Sequence, residues 1–101
     1  MAINVTESDD AKEVTITISG RFDFSMHHIF IDAYQHYPKG EKRFVVDLAE
    51  TEYMDSSAMG MLLQLRDYAV QDGDRIKLIN TNDTVRKILE IANFGKLFDI
   101  S

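Results

Sequence analysis

Cysteine and tryptophan are absent, proline occurs once and glycine five times in 101 residues. Without cysteine there is no disulfide scaffold, no thiol nucleophile and no thiolate metal site. Stability has to come from packing. So few prolines and glycines leave no linker, low-complexity tract or internal repeat, and the length is that of one domain spanning residues 1–101. Cations are scarce as well: 11 Lys and Arg stand against 17 Asp and Glu, a net charge of −6 with histidine neutral. That balance argues against a nucleic-acid backbone or an anionic membrane as the main partner, because both attract positive charge. The longest apolar stretch, Ala58 to Leu63, is far short of the ~18–20 residues a membrane span needs. Met1 to Asp10 holds no Lys or Arg and no long apolar run, so no signal peptide is visible. A cytoplasmic location is expected.

What is present looks like an ordinary globule, 45% hydrophobic and 28% charged. Ala2 to Thr6 and Val14 to Ser19 alternate apolar with polar residues, the mark of half-buried strands, and Ser8-Asp9-Asp10 between them predicts an antiparallel hairpin. Gly20 is expected to close the second strand. A helix is predicted from Ser25, as N-cap, to Tyr37, with Ile29, Ala33 and His36 or Tyr37 at helical spacing and Pro38-Lys39-Gly40 as its stop. Phe44-Val45-Val46-Asp47-Leu48 reads as a strand buried on both faces. A second helix, Asp55 to Gln71, carries a stripe of Ala58, Leu62, Leu65 and Ala69 widened by Met61 and Tyr68. Asp72-Gly73-Asp74 is its expected exit, with Gly73 suited to a left-handed position.

Arg75 to Ile79 predicts a further strand. A third helix opens near Asn82 or Asp83, with Val85, Ile88, Leu89 and Ala92 on one face and Asn93-Phe94-Gly95 as its stop. Leu97 to Ile100 forms a short final strand or a packed tail. The order β-β-α-β-α-β-α predicts an α/β fold: a mixed, mostly parallel sheet with an N-terminal hairpin and packed helices.

Catalytic signals are thin. Ser56 and Ser57 lie in no G-x-S-x-G elbow. His27 and His28 point about 100° apart around a helix, and His28 and His36 are separated by roughly 12 Å of helical rise, too far for one zinc. No phosphate-binding glycine loop occurs. The acidic pairs Asp9/Asp10 and Asp72/Asp74 lack the ligand spacing of a calcium loop and read as turns. No enzyme, metal site or cofactor is expected. The unusual segment is Tyr53-Met54-Asp55-Ser56-Ser57-Ala58-Met59-Gly60, directly after the buried strand. Asp and Ser favour helix starts on their own, so this run alone establishes a cap and no more.

Together with Phe44 to Leu48, however, the run resembles the signature of STAS-domain anti-sigma factor antagonists: a hydrophobic strand, Asp-Leu, a short link, then Asp-Ser-Ser-Gly-Leu-Gly opening a helix. Gly20-Arg21-Phe22-Asp23 resembles the family's Gly-x-Leu-Asp, and Leu89 to Phe94 resembles its late helix ending. Two positions depart from the pattern, Ala58 for Gly and Met59 for Leu, which bears on the fine geometry of the kinase contact and not on the fold. The resemblance implies that Ser56 accepts phosphate, with Ser57 the second choice. It makes Asp23, Asp55, Ser57, Ala58 and Met59 candidate partner contacts. The implied partners are an anti-sigma factor or a serine protein kinase, and a PP2C-type phosphatase or a response regulator carrying one. The dephosphorylated form would bind and the phosphorylated form be released. Within the same family, a constitutive STAS subunit of a lipid-transport ATP-binding-cassette complex is the alternative.

Overall fold

Val14, Ile16 and Ile18 alternate inward with no exposed surface and Thr15 and Thr17 alternate outward, the pattern of a strand with one face in the core. In the computed structural model, which describes residues 3–69 and 76–101, this strand is β2 (Glu13–Ile18) and pairs antiparallel with β1 (Ile3–Glu7). The turn between them is held by the Ser8 hydroxyl donating to Asp10 at 2.6 Å and by the Ala11 N–H donating to the Ser8 carbonyl at 2.9 Å. β4 (Arg43–Asp47), β6 (Lys77–Ile79) and β7 (Asp99–Ile100) extend the sheet in the order β1-β2-β4-β6-β7. All pairings after the hairpin are parallel. Phe44, Val45 and Val46 are buried in succession, as a central strand covered on both faces requires. The expected fold class holds, and the tail settles as the short strand β7.

Two elements depart from expectation. Gly20 opens a strand instead of only closing one: β3 (Gly20–Phe22) pairs in parallel with β5 (Thr51–Met54), forming a separate two-stranded sheet. Gly20 has φ +81, so the chain leaves β2 through a conformation that L side chains rarely adopt. Such short strands hide in sequence because neither is long enough to show alternation.

The first helix also starts later. Asp23, not Ser25, supplies the cap, its carboxylate accepting the Ser25 N–H at 3.0 Å over a 3₁₀ turn, Phe24–Met26. α1 (His27–Gln35) follows, and its buried stripe is Phe30, Ala33 and Tyr34.

α2 (Ser56–Ala69) buries Ala58, Met61, Leu62, Leu65 and Ala69, the expected stripe with Met61 at its centre. The expected exit at Asp72 to Asp74, with Arg75, lies outside the described residues. Tyr68 ties α2 to the end of α1, its hydroxyl donating to the Gln35 carbonyl at 2.9 Å while its ring meets Tyr34 at 5.0 Å. α3 (Asp83–Ile91) is capped by Asn82, whose side-chain oxygen accepts the Val85 N–H at 2.8 Å. It buries Val85 and Leu89, whereas Ala92 lies exposed past its end. Asn93, at φ 59, stops the helix as expected. Among the described residues, no helix is long and apolar enough to cross a membrane.

Candidate functional site at the start of helix α2

β5 passes into α2 through Asp55, which is fixed at both ends. Its N–H donates to the Phe22 carbonyl at 3.3 Å, and its carboxylate accepts the Ala58 N–H at 2.9 Å. The second bond is a side-chain N-cap reaching the third helical residue, and an anion there also complements the helix dipole. Below it, Phe22 and Met54, paired in the β3/β5 sheet, are almost wholly buried. The first helical turn is therefore set on a packed base.

The side chains of that turn divide by direction. Ser56 is exposed, Ser57 half-buried, Ala58 fully buried, Met59 half-buried against the core and Gly60 exposed. Ala58 thus offers no side-chain atom to a partner. Its methyl packs inward, which withdraws it from the contact surface expected of it. Of the methionines near the helix start, Met54 and Met61 belong to the core. Asp23 sits directly after Phe22, the residue whose carbonyl holds Asp55, so the fold brings the two expected acidic positions onto neighbouring segments. The Ser25 hydroxyl donates to Asp23 at 2.5 Å and the Ser25 N–H at 3.0 Å, and these bonds, the hydroxyl first, hold the Asp23 carboxyl below its ordinary value, with Arg21 adding a smaller pull.

Several residues that sequence reasoning passed over complete the surface. Phe24 is 66% exposed, its ring stacked on His27 at 5.2 Å between centroids. Phe24, His27, Ser57, Gly60, Met61 and Gln64 line a shallow groove of about 210 Å³. On the mini-sheet, the Arg21 guanidinium lies 4.6 Å from the centre of the Tyr53 ring, a cation–π contact. The available sequence signal was Phe24 itself, a large apolar side chain in a polar turn outside any helical stripe. Among the described residues no group of three or more His, Cys, Asp or Glu could hold a metal ion.

Comparison with known proteins agrees with this architecture. The model of the family described as "Mlab, STAS domain" matches residues 5–99. A STAS-domain containing protein of Pseudomonas aeruginosa (strain UCBPP-PA14) is 52% identical over 101 residues, covering 100% of both chains. Among solved structures, an anti-sigma factor antagonist from Mycobacterium paratuberculosis superimposes with a TM-score of 0.81 at 15% identity, covering 97% of this chain and 82% of its own. The Bacillus cell fate determinant SpoIIAA in its phosphorylated form does so with a TM-score of 0.65 at 21% identity, covering 99% and 91%. These two likenesses establish a shared fold. With the family match running through nearly all of its length, the chain belongs to the STAS-domain family.

Proposed function

We propose that this protein is a non-catalytic, cytoplasmic binding module of the anti-sigma factor antagonist kind, whose docking to a partner is switched by reversible phosphorylation of Ser56. The observation that carries this reading is the contrast between neighbours: Ser56 is exposed on a helix start that Asp55 caps from below, while Ser57 is half-buried. A kinase needs a reachable hydroxyl on a frame that survives the added charge. A helix N-terminus is such a frame, since a phosphate of roughly −1.5 to −2 charge there is favoured by the helix dipole.

Magnitudes decide the direction of the switch. Cationic groups on a partner would gain roughly 0–1 kcal/mol from each exposed ion pair with the phosphate. Taking an ion out of water into an interface costs several kcal/mol unless it is fully paired. Desolvation wins, so the unmodified form binds and the phosphorylated form lets go. Asp23, Asp55, Ser57 and Met59 serve the same face, Asp55 through the cap and Met59 through its half-buried side chain. An anti-sigma factor or serine protein kinase fits as the binding partner, and a PP2C-type phosphatase, or a response regulator carrying one, as the enzyme that resets it.

Incubation with ATP and a purified serine protein kinase, followed by mass spectrometry, should place phosphate on Ser56. Full labelling of Ser56→Ala would refute the assignment, with Ser57 then the acceptor. Recovery of a transporter ATPase complex, with no ATP-dependent modification, would replace the switch by constitutive docking.

A further inference from the structure

Gly60 stands inside α2, where glycine is the poorest helix former after proline. Nothing among the described residues asks for it: beyond its own helical turn and chain neighbours, a β-carbon at this position meets no atom within 4 Å. What a missing side chain still provides is close approach from outside. Beside it runs the groove walled by Phe24. At about 210 Å³ it falls below the ~300–1,000 Å³ of pockets for drug-sized ligands. It has room for one large side chain.

Charge narrows the occupant. Among the described residues, no Lys or Arg lines the groove. Asp23 adjoins Phe24, Asp55 caps the turn that holds Ser57, and exposed Asp67 lies one turn beyond Gln64. A second copy of the chain would press two such acidic rims together at a net charge of −6 each. A cationic segment is the electrostatic complement. Resting on the reading of the α2 start as the partner-binding face, we infer that the groove between Phe24 and Gly60 seats an apolar side chain from a Lys- or Arg-flanked segment of a partner protein, whose main chain lies against the bare Gly60 backbone. Ser56 precedes Gly60 by one helical turn on the same side, so a phosphate there overhangs the groove and obstructs that approach.

NMR titration of the isotope-labelled full chain tests this, at a salt concentration of about 0.15 M to suppress diffuse attraction. The probes are two synthetic peptides, one with a leucine between Lys and Arg residues and a twin with Glu in their place. The basic peptide should shift the amide signals of Phe24, Gly60 and Gln64. Gly60→Ala should weaken its binding by roughly tenfold or more, a loss read directly from the titration, while the thermal midpoint stays or rises. Phe24→Ser should weaken it likewise. Both peptides are titrated without ATP or kinase, so the outcome does not depend on which serine accepts phosphate. Shifts centred elsewhere, an equal response to the acidic twin, or undiminished binding by Gly60→Ala would each overturn it. Concentration-dependent shifts at Gly60 without peptide would overturn it in favour of a second copy.

Discussion

The Thr51 hydroxyl donates a 2.7 Å hydrogen bond to the Ile18 carbonyl, inside the protein, with Thr51 only 1% exposed. The same residue's carbonyl accepts from the Asn82 side chain at 2.7 Å, so one threonine joins the end of β2, the start of β5 and the cap of α3. Thr51→Val keeps the shape and removes the hydroxyl. Leaving a buried acceptor short of a partner costs about 1–3 kcal/mol. Urea unfolding should show that loss, and a smaller one from Thr51→Ser.

Asp55→Ala removes the side-chain cap on the Ala58 N–H. Loss of about 1 kcal/mol in unfolding free energy is expected, within the usual range for N-caps. Asp55→Asn should restore most of it, because the amide oxygen accepts the same bond. A denaturation series of the three proteins checks both statements.

Ser56→Asp should leave the fold as stable as before or stabilise it by about 0.3–1 kcal/mol, since the position is exposed and begins the helix. The same variant should bind the partner more weakly. A fall in thermal midpoint would mean that the added charge disturbs the scaffold itself.

Gly60→Ala should raise stability by about 1 kcal/mol, the difference in helix propensity, given the open space around its α-carbon. Urea unfolding measures it. Destabilisation would reveal an internal role for the glycine.

Acid titration reports on the turn before α1. Hydrogen bonds from Ser25 lower the Asp23 pKa in the folded protein below the ordinary 3.8. A carboxyl whose folded value is depressed stabilises the fold above the ordinary value and loses that contribution as pH falls through the lowered one. Asp23 therefore supports the turn at neutral pH and ceases to do so only in acid, below the usual carboxylate range. Ser25→Ala should bring its titration back up towards 3.8, read from the carboxyl carbon by NMR.

The main sheet was legible because its strands obey simple patterns: Val14, Ile16 and Ile18 alternate, and Phe44 to Val46 run unbroken. α3 announced itself through Asn82, a strong cap before an amphipathic run. The β3/β5 pair stayed hidden because each strand is short and its partner is remote in sequence. The α1 start was misread because Asp23 and Ser25 are both good caps and only geometry shows which carboxylate or hydroxyl accepts. At the site, Asp55 and the serine pair stood out as a helix start, but residue type could not tell exposed Ser56 from half-buried Ser57. Phe24 and Gly60 meet only through the packing of separate segments, which no local spacing encodes.

β3 and β5 form a sheet of their own beside the larger one, and the side chains they and α2 turn outward, Arg21, Tyr53 and Ser56 among them, take no part in the main hydrophobic cluster. Substitutions at these outward positions can change what the surface presents while the packed interior beneath stays the same.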